Sequence, residues 1–172
     1  MRFQCSNCLS IVAIDDSESG QAVACGNCSQ VIVVPMARTA PGAVISDFVI
    51  EKELGKGGLA TVYLAHQISL DRSVALKILH QQYADDAEFI IDFIREARAA
   101  AQLNHPNIVQ AHAVGEENGI HFFAMEYVQG TTLKNVLAHS GRLVVDRALM
   151  ICREIATALD FAWKNKMQKK YF

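Results

Sequence analysis

Apolar and polar residues alternate in several stretches of this chain, a pattern typical of β-strands that bury one face. Two short runs rich in β-branched residues predict small strands near the N-terminus, and three longer runs predict strands in the middle of the chain. These strands are expected at 11–14, 31–34, 48–54, 61–65 and 73–79. The chain should therefore contain two separate groups of strands.

Apolar residues instead recur every 3.6 positions in two other stretches, which predicts α-helices. The first covers 85–103, where Asp85 and Glu88 have the spacing of a capping box. The second begins at Val145 or its neighbour, and its apolar positions include Cys152, which is expected to be a buried, unreactive thiol.

Four of the five cysteines lie near the N-terminus in the pattern C-x2-C-x16-C-x2-C, as Cys5, Cys8, Cys25 and Cys28. This spacing is typical of a four-cysteine zinc site, in which two turns present thiolates to one tetrahedral ion. The two halves repeat each other as CSNC and CGNC. Residues 1–35 are therefore expected to form a small zinc ribbon that metal binding stabilises. Two disulfides or a redox-active cysteine pair remain as alternative interpretations.

Composition narrows the range of functions. A chain with 51% apolar and 20% charged residues is not a disordered tail, and its net charge of −2 argues against a nucleic-acid-binding protein. Residues 1–35 contain one arginine, no lysine and one aromatic residue, so we expect the ribbon to be a structural cap or to bind protein. No apolar stretch has the length of a membrane span or a signal peptide, and a cytoplasmic location is expected.

A linker and a glycine-rich turn follow the ribbon. Residues 35–42 are poor in bulky apolar side chains and include proline and glycine, so 36–46 are expected to be a linker. Glycines at 55, 57 and 58 then lie between two predicted strands, where they would let the backbone approach phosphate oxygens. Glycines that serve turn geometry alone are the alternative. The surrounding sequence fits neither the P-loop nor the dinucleotide-binding motif.

Two charged residues are predicted at inward-facing positions. Lys77 interrupts an apolar strand, and Glu96 shares a helix face with Phe93 and Ala97. Because burying either charge alone is costly, we expect the two side chains to form an ion pair. In the alternative interpretation, Glu96 belongs to a solvated helix edge with Arg95.

Together these segments resemble the N-terminal half of a bacterial serine/threonine protein kinase of the eukaryotic type. GKGGLATVYLA is similar to the glycine-rich loop, VALKIL to the strand with the nucleotide-binding lysine, FIREARAAAQLNHPNIVQ to helix C with the following strand, and FFAMEYVQGTTL to the fifth strand and hinge. Ala60 stands where the third glycine of the loop is expected. The resemblance covers 47–163. It implies the α+β fold class, in which 47–172 form a five-stranded antiparallel sheet with helix C, followed by the first helices of an incomplete second lobe.

The resemblance also implies a role for each matching residue. Lys77 would hold the α- and β-phosphates of ATP while Glu96 positions it, and backbone amides of the loop would cover the phosphates. Met125 would be the gatekeeper, and Thr132 would contact the ribose. The residues expected to contact ATP are Leu54, Gly55, Lys56, Gly57, Gly58, Val62, Ala75, Lys77, Met125, Glu126, Val128 and Thr132.

The catalytic half of the resembled kinase has no match in this sequence. No His-Arg-Asp triplet, downstream asparagine or Asp-Phe-Gly motif occurs before Phe172, so no residue corresponds to the catalytic base or to the Mg²⁺ ligands. We therefore expect ATP and zinc to bind without phosphoryl transfer, and Mg²⁺ to be held only by a complete kinase. The chain is interpreted as a fragment of a kinase that acts on a protein substrate. A non-catalytic module that binds nucleotide or a regulatory protein, and a lobe completed by a separate chain, are the alternatives.

Overall fold

The computed structural model describes the chain over residues 1–170 and its side chains over residues 1–165. The strands of the described residues are β1 (Arg2–Gln4), β2 (Ile11–Ala13), β3 (Ala22–Ala24), β4 (Val31–Val33), β5 (Ala43–Ile45), β6 (Phe48–Lys56), β7 (Ala60–Gln67), β8 (Arg72–Leu79), β9 (Ala111–Glu117) and β10 (Ile120–Glu126). The α-helices are α1 (Ala87–Ala101), α2 (Leu133–Ser140) and α3 (Val145–Lys170), and short 3-10 helices cover Asp16–Glu18 and Gln81–Tyr83. None of the helices in this described part is long and apolar enough to cross a bilayer.

The main sheet is antiparallel and has the strand order β2-β1-β5-β6-β7-β8-β10-β9, while β3 and β4 form a separate hairpin. The five-stranded sheet that the family resemblance implied corresponds to β6 to β10. The sheet extends beyond them because β5 pairs with β6 on one side and with β1 on the other. The expected linker at 36–46 therefore contains a strand. All three of its residues are buried, so this short segment gains both ladder hydrogen bonds and apolar contacts.

The sheet curls around an apolar core. Phe48 on β6 and Phe122 on β10 pack edge to face with ring centroids 5.7 Å apart, although β7 and β8 separate their strands. The remaining members of this core are Ile45, Ile50, Ala65, Val74, Leu76, Ile78, Ile120 and Ala124. The opposite face of the sheet packs against α1 through a second cluster, which consists of Ala60, Leu79, Phe93, Ala97 and Phe123. Phe122 and Phe123 are thus both buried, one in each cluster.

Two local predictions were wrong. The N-cap of α1 is Asp86, whose carboxylate accepts the Glu88 N–H at 2.9 Å, and not Asp85, because the helix begins one residue later than expected. Cys152 is exposed, as are Leu149 and Ile155 of the same helix. Periodicity predicts which face of a helix is apolar, but in the described residues that face of α3 is left largely uncovered.

Candidate functional site

A lysine and a glutamate from different elements meet on the α1 face of the sheet. The Lys77 ammonium on β8 lies 2.6 and 2.8 Å from the two carboxylate oxygens of Glu96 on α1. It also lies over the rings of Phe93 and Phe123, 5.8 and 5.2 Å from their centroids. The structure thus brings these two predicted residues together with a cation–π environment around the lysine.

Glu96 is less buried than its helical position predicts. Its side chain is 57% exposed, whereas that of Lys77 is 22% exposed. Phe93 and Ala97 form the buried stripe of α1, and Glu96 lies at the edge of that stripe. The edge position lets the carboxylate reach Lys77 without being buried, and Arg95 pairs with Asp92 instead.

The glycine-rich turn connects β6 to β7 beside this ion pair. Gly55 pairs with Val62, and Val62 pairs in turn with Lys77 on the next strand. The Gly57 N–H donates to the Ala60 carbonyl at 2.9 Å and closes the turn. Gly55 on β6 is therefore two strands from Lys77, and the β7 end of the turn is one strand away.

The protein fold itself does not require glycine at positions 55 and 58. A Cβ at either position would have no other atom within 4 Å, and neither residue has the positive φ that favours glycine. Turn geometry alone, the alternative that the sequence left open, does not account for these two glycines. What they leave is open space in front of the backbone, which a ligand can approach.

Ala60, which replaces the expected third glycine, is accommodated by the core. It is 5% exposed and packs in the cluster with Leu79, Phe93 and Phe123. Its methyl group therefore points into the protein at the start of β7 and leaves the turn open.

The residues predicted around an adenine ring lie on neighbouring strands. Ala75 on β8 is directly opposite both Leu64 on β7 and Met125 on β10, and Val62 lies one pleat further along the same face. Ala75 is buried, and Met125 packs against the α1 cluster. Leu54, Lys56, Glu126 and Val128 are exposed around this face.

Thr132 has a structural contact in addition to the ribose contact expected from the resemblance. Its hydroxyl accepts the Asn135 N–H at 3.2 Å, and its backbone is extended, so it is the N-cap of α2. The hydroxyl is thus held at the end of the segment that follows β10.

The four N-terminal cysteines form a cluster suited to one metal ion. Their sulfur atoms all lie within 4.8 Å of one another. Cys5 and Cys28 Sγ are 3.8 Å apart, and Cys8 and Cys25 Sγ are 3.7 Å apart. Tetrahedral zinc with bonds of about 2.3 Å places its sulfur ligands about 3.8 Å apart, so these residues fit the ion. A disulfide, at about 2.05 Å, has a much shorter separation.

The two halves of the cluster have matching backbone conformations. The Leu9 and Ser29 N–H groups donate to the Cys5 and Cys25 carbonyls at 2.9 and 2.8 Å. Leu9 and Ser29 both have φ near +60°, which turns the chain back after each second cysteine. The sequence repeat is therefore a structural repeat as well.

Polar side chains that the sequence analysis did not assign surround the sulfurs. The amide nitrogen of Asn7 donates to Cys28 Sγ, and that of Asn27 donates to Cys8 Sγ, both at 3.5 Å. Each of the two cysteine-containing turns, which we call knuckles, thus donates a hydrogen bond to a cysteine of the other turn. An asparagine lies between the two cysteines in both repeats, so the sequence could have indicated this supporting role.

Ser10 contributes to the chemistry of two thiols. Its hydroxyl lies 3.0 Å from Cys8 Sγ and 3.5 Å from Cys25 Sγ. Hydrogen bonds from Ser10, followed by one from Asn27, lower the pKa of Cys8 to about 5. Ser10 and the backbone N–H of Cys28 also lower the pKa of Cys25. Hydrogen bonding to the thiolate form is what a metal-binding cysteine requires.

Comparison with known proteins gives a consistent set of matches. The sequence profile of the family described as "Protein kinase domain" matches residues 48–168. Serine/threonine-protein kinase PrkC of Bacillus subtilis is 48% identical over 118 residues, which are 69% of this chain and 18% of that relative. Serine/threonine-protein kinase PknJ of Mycobacterium tuberculosis is 41% identical over 121 residues, which are 70% of this chain and 20% of the relative.

Solved structures match the same region. The crystal structure of the PknI kinase domain of Mycobacterium tuberculosis has a TM-score of 0.62 and 34% sequence identity, and the match covers 73% of this chain and 52% of that one. The chain thus spans about a fifth of the length of the curated relatives and about half of this solved domain.

Proposed function

Because the chain belongs to the protein kinase domain family, with bacterial serine/threonine kinases among its relatives, we propose that residues 47–172 bind ATP as the nucleotide-binding part of a serine/threonine kinase. Residues 1–35 are proposed to be a zinc ribbon, and part of 36–46 to be the connection between the two. Residues 171 and 172 of the proposed range lie outside the described residues.

The observation that carries this proposal is the Lys77–Glu96 contact beside an open glycine turn. An ammonium with a carboxylate 2.6 Å away has a fixed position, from which it can bind an anion on its solvent side. Glycines at 55 and 58 leave open space where a Cβ would lie, so a ligand can approach the backbone there. A triphosphate has the charge and the shape that such an arrangement accepts.

The nucleotide base is assigned to the apolar positions next to the ion pair. Leu54, Val62 and Ala75 would enclose the adenine ring, and Met125 would limit the depth of its pocket. The Glu126 carbonyl and the Val128 N–H would bond to the edge of the ring. Loop residues Gly55, Lys56, Gly57 and Gly58 would cover the phosphates, and Thr132 would contact the ribose while capping α2.

Phosphoryl transfer requires groups that these 172 residues do not include. Kinases of this family use Mg²⁺ with ATP, and the ion neutralises charge that develops on the transferred group. The sequence contains no His-Arg-Asp or Asp-Phe-Gly motif to supply the base and the Mg²⁺ ligands. A polypeptide of residues 1–172 should therefore bind ATP without transferring phosphate to protein serine or threonine.

The four cysteines are assigned to a structural zinc ion. A site with four protein ligands has no open position for substrate, so this ion would hold the ribbon together without taking part in chemistry. The requirement for ATP and for reduced thiols favours a cytoplasmic setting.

A binding experiment tests the nucleotide assignment. Zinc-loaded protein should bind ATP in isothermal titration calorimetry, and Lys77→Ala should abolish the heat of binding. Lys134→Ala is the matched control, because it removes an exposed lysine of α2. Equal ATP affinity for the Lys77 variant and the wild type would rule out the assignment.

A further inference from the structure

Strand β1 connects the cysteine cluster to the kinase-like sheet. Phe3 is opposite Val12 of the ribbon on one side and opposite Ala43 of β5 on the other. The Gln4 N–H extends this second ladder by donating to the Gly42 carbonyl at 2.8 Å. One three-residue strand is therefore shared by the ribbon and the lobe.

Two arginines, Arg2 on β1 and Arg38 in the segment that follows the ribbon, contact the turn between β9 and β10 at the far end of the sheet. Five strands separate β1 from β9 in the sheet order. Even so, the Arg2 guanidinium contacts the Glu117 carboxylate at 2.6 Å and the Ser46 carbonyl at 3.0 Å. Curling of the sheet brings its two ends together, and this arginine bridges them.

The second arginine makes a parallel connection. Arg38 forms an ion pair with Asp16 of the ribbon and donates to the Asn118 carbonyl at 3.2 Å. Glu117 and Asn118 are neighbours at the turn between β9 and β10. Both arginine contacts, which we call the arginine bridge, thus end at this turn.

The junction between the ribbon and the lobe is only partly filled by side chains. A cavity of about 360 Å³ lies between the ribbon and the lobe, lined in part by Ile14, Val44 and Ile120. Dense apolar packing therefore does not fill the space that the arginine bridge spans. The β1–β5 ladder and the arginine bridge are hydrogen-bonded contacts across this junction.

The metal site determines whether β1 can be ordered. Phe3 is two residues from Cys5, and its ring is buried in a small core with Cys5, Cys25, Ile32 and Val34. A core of this size is too small to fold without further stabilisation. Metal binding to an unfolded site contributes directly to folding free energy. Loss of the ion should therefore release Phe3, and with it the shared strand.

We propose that the metal-loaded ribbon braces the nucleotide-binding lobe by closing its curled sheet from β5 to the β9–β10 turn. This inference rests on the proposed zinc site. β10 runs from the braced turn at Ile120 to Glu126 in the proposed adenine site, and its Phe123 pairs with Lys77. Zinc occupancy would then be communicated along one strand to the ATP site, and zinc depletion would weaken ATP binding without removing any ATP contact.

Amide hydrogen exchange on the whole chain tests the proposal. Treatment with a zinc chelator should accelerate exchange about tenfold or more in 43–50 and 114–122, while the protected amides of α1 change much less. ATP affinity should fall by about threefold or more in the same samples. Zinc content measured by metal analysis establishes that the ion was present at the start and then removed.

A zinc-loaded variant separates bracing from simple unfolding. Arg2→Ala combined with Arg38→Ala removes the arginine bridge but leaves all four cysteines. With zinc bound, this double variant should show faster exchange at 114–122 and weaker ATP binding. Lys164→Ala is the control, since it removes an exposed cation whose partner Asp160 lies one turn away on α3.

The outcomes are distinct. Absence of zinc from the purified protein would overturn the zinc site, and absence of ATP binding with zinc present would overturn the nucleotide site. Zinc and ATP binding with unchanged exchange at 43–50 and 114–122 after chelation would overturn the brace alone. If chelation unfolded the whole chain, unchanged exchange in the zinc-loaded double variant would overturn the brace.

Discussion

Lys77 and Glu96 contact each other through both carboxylate oxygens, at 2.6 and 2.8 Å, although more than half of the Glu96 side chain is exposed. Ion pairs with this much exposure contribute only about 0–1 kcal/mol to stability, because water competes for both charges. Fold stability therefore does not account for this contact. Its effect is to fix the position of the ammonium, which the proposed ATP site requires.

The substitution Glu96→Gln should weaken ATP binding by about threefold to tenfold. The amide keeps the shape of the side chain but loses the charge that holds Lys77 in place. The free energy of unfolding should change by less than about 1 kcal/mol. Titration calorimetry and urea unfolding measure the two quantities, and Glu88→Gln on the same helix is the control. Unchanged affinity, or a large loss of stability, would contradict a positioning role.

Gly58→Ala should separate the fold of the loop from its function. A Cβ at this position has open space around it and needs no left-handed backbone, so the variant should be as stable as the wild type or more stable by about 0.4–1 kcal/mol. ATP should nevertheless bind less tightly, because the methyl group would occupy the space assigned to the phosphates. Gly26→Ala, which also lies in open space, should leave ATP affinity unchanged. If both variants bound ATP like the wild type, the phosphates would lie elsewhere.

Gly115 is required by packing, in contrast to Gly58. A Cβ there would lie 2.8 Å from Cζ of Phe122, whose ring is held in the core against Phe48. Gly115→Ala should therefore lower the free energy of unfolding by about 1–3 kcal/mol, as overpacked cores do. A double-mutant cycle with Phe122→Leu provides the check: the two costs should be less than additive because the smaller side chain makes room. Fully additive costs would mean that the ring does not limit this position.

Local patterns in the sequence predicted the elements that repeat or alternate. Cysteine spacing indicated the four-sulfur cluster. The strand and helix periods predicted inward-facing positions for Lys77 and Glu96, and the cost of burying either charge alone predicted their ion pair. The same patterns failed at the N-terminus of α1. Asp85 and Asp86 have the same side chain and are equally good N-caps, so only the residue at which the helix begins decides which of them caps it.

Contacts between distant residues left no local signal. The Arg2–Glu117 contact joins residues 115 positions apart, and β5 has only three residues, too few for a period to be detected. The arginine contact depends on how far the sheet curls around its core, in which Phe48 packs against Phe122. Exposure of Cys152 also depends on tertiary packing, because helical periodicity identifies an apolar face but not what covers it.

The cysteine cluster should hold one zinc ion per chain. Cys25→Ser should lose the ion, since three sulfurs and a hydroxyl bind zinc less tightly than four thiolates. Cys152→Ser should retain it, because this cysteine lies on α3 outside the cluster. Metal analysis of the purified proteins measures the stoichiometry. Zinc-free protein with two disulfides by thiol titration would favour the disulfide interpretation instead.

The two asparagines between the paired cysteines should tune zinc affinity. Each donates across the cluster to a sulfur of the other knuckle, Asn7 to Cys28 and Asn27 to Cys8, and so stabilises negative charge on a ligand. Loss of such a supporting hydrogen bond typically weakens a metal site by about 10- to 100-fold. Competition with a zinc chelator should therefore extract the ion more readily from Asn7→Ala and from Asn27→Ala than from wild type. The two effects should be similar, because both amides donate to a sulfur at 3.5 Å. Asn135→Ala on α2 should retain wild-type affinity. A strong effect of one asparagine with none of the other would mean that the symmetry of the sulfur cluster does not extend to its hydrogen bonds.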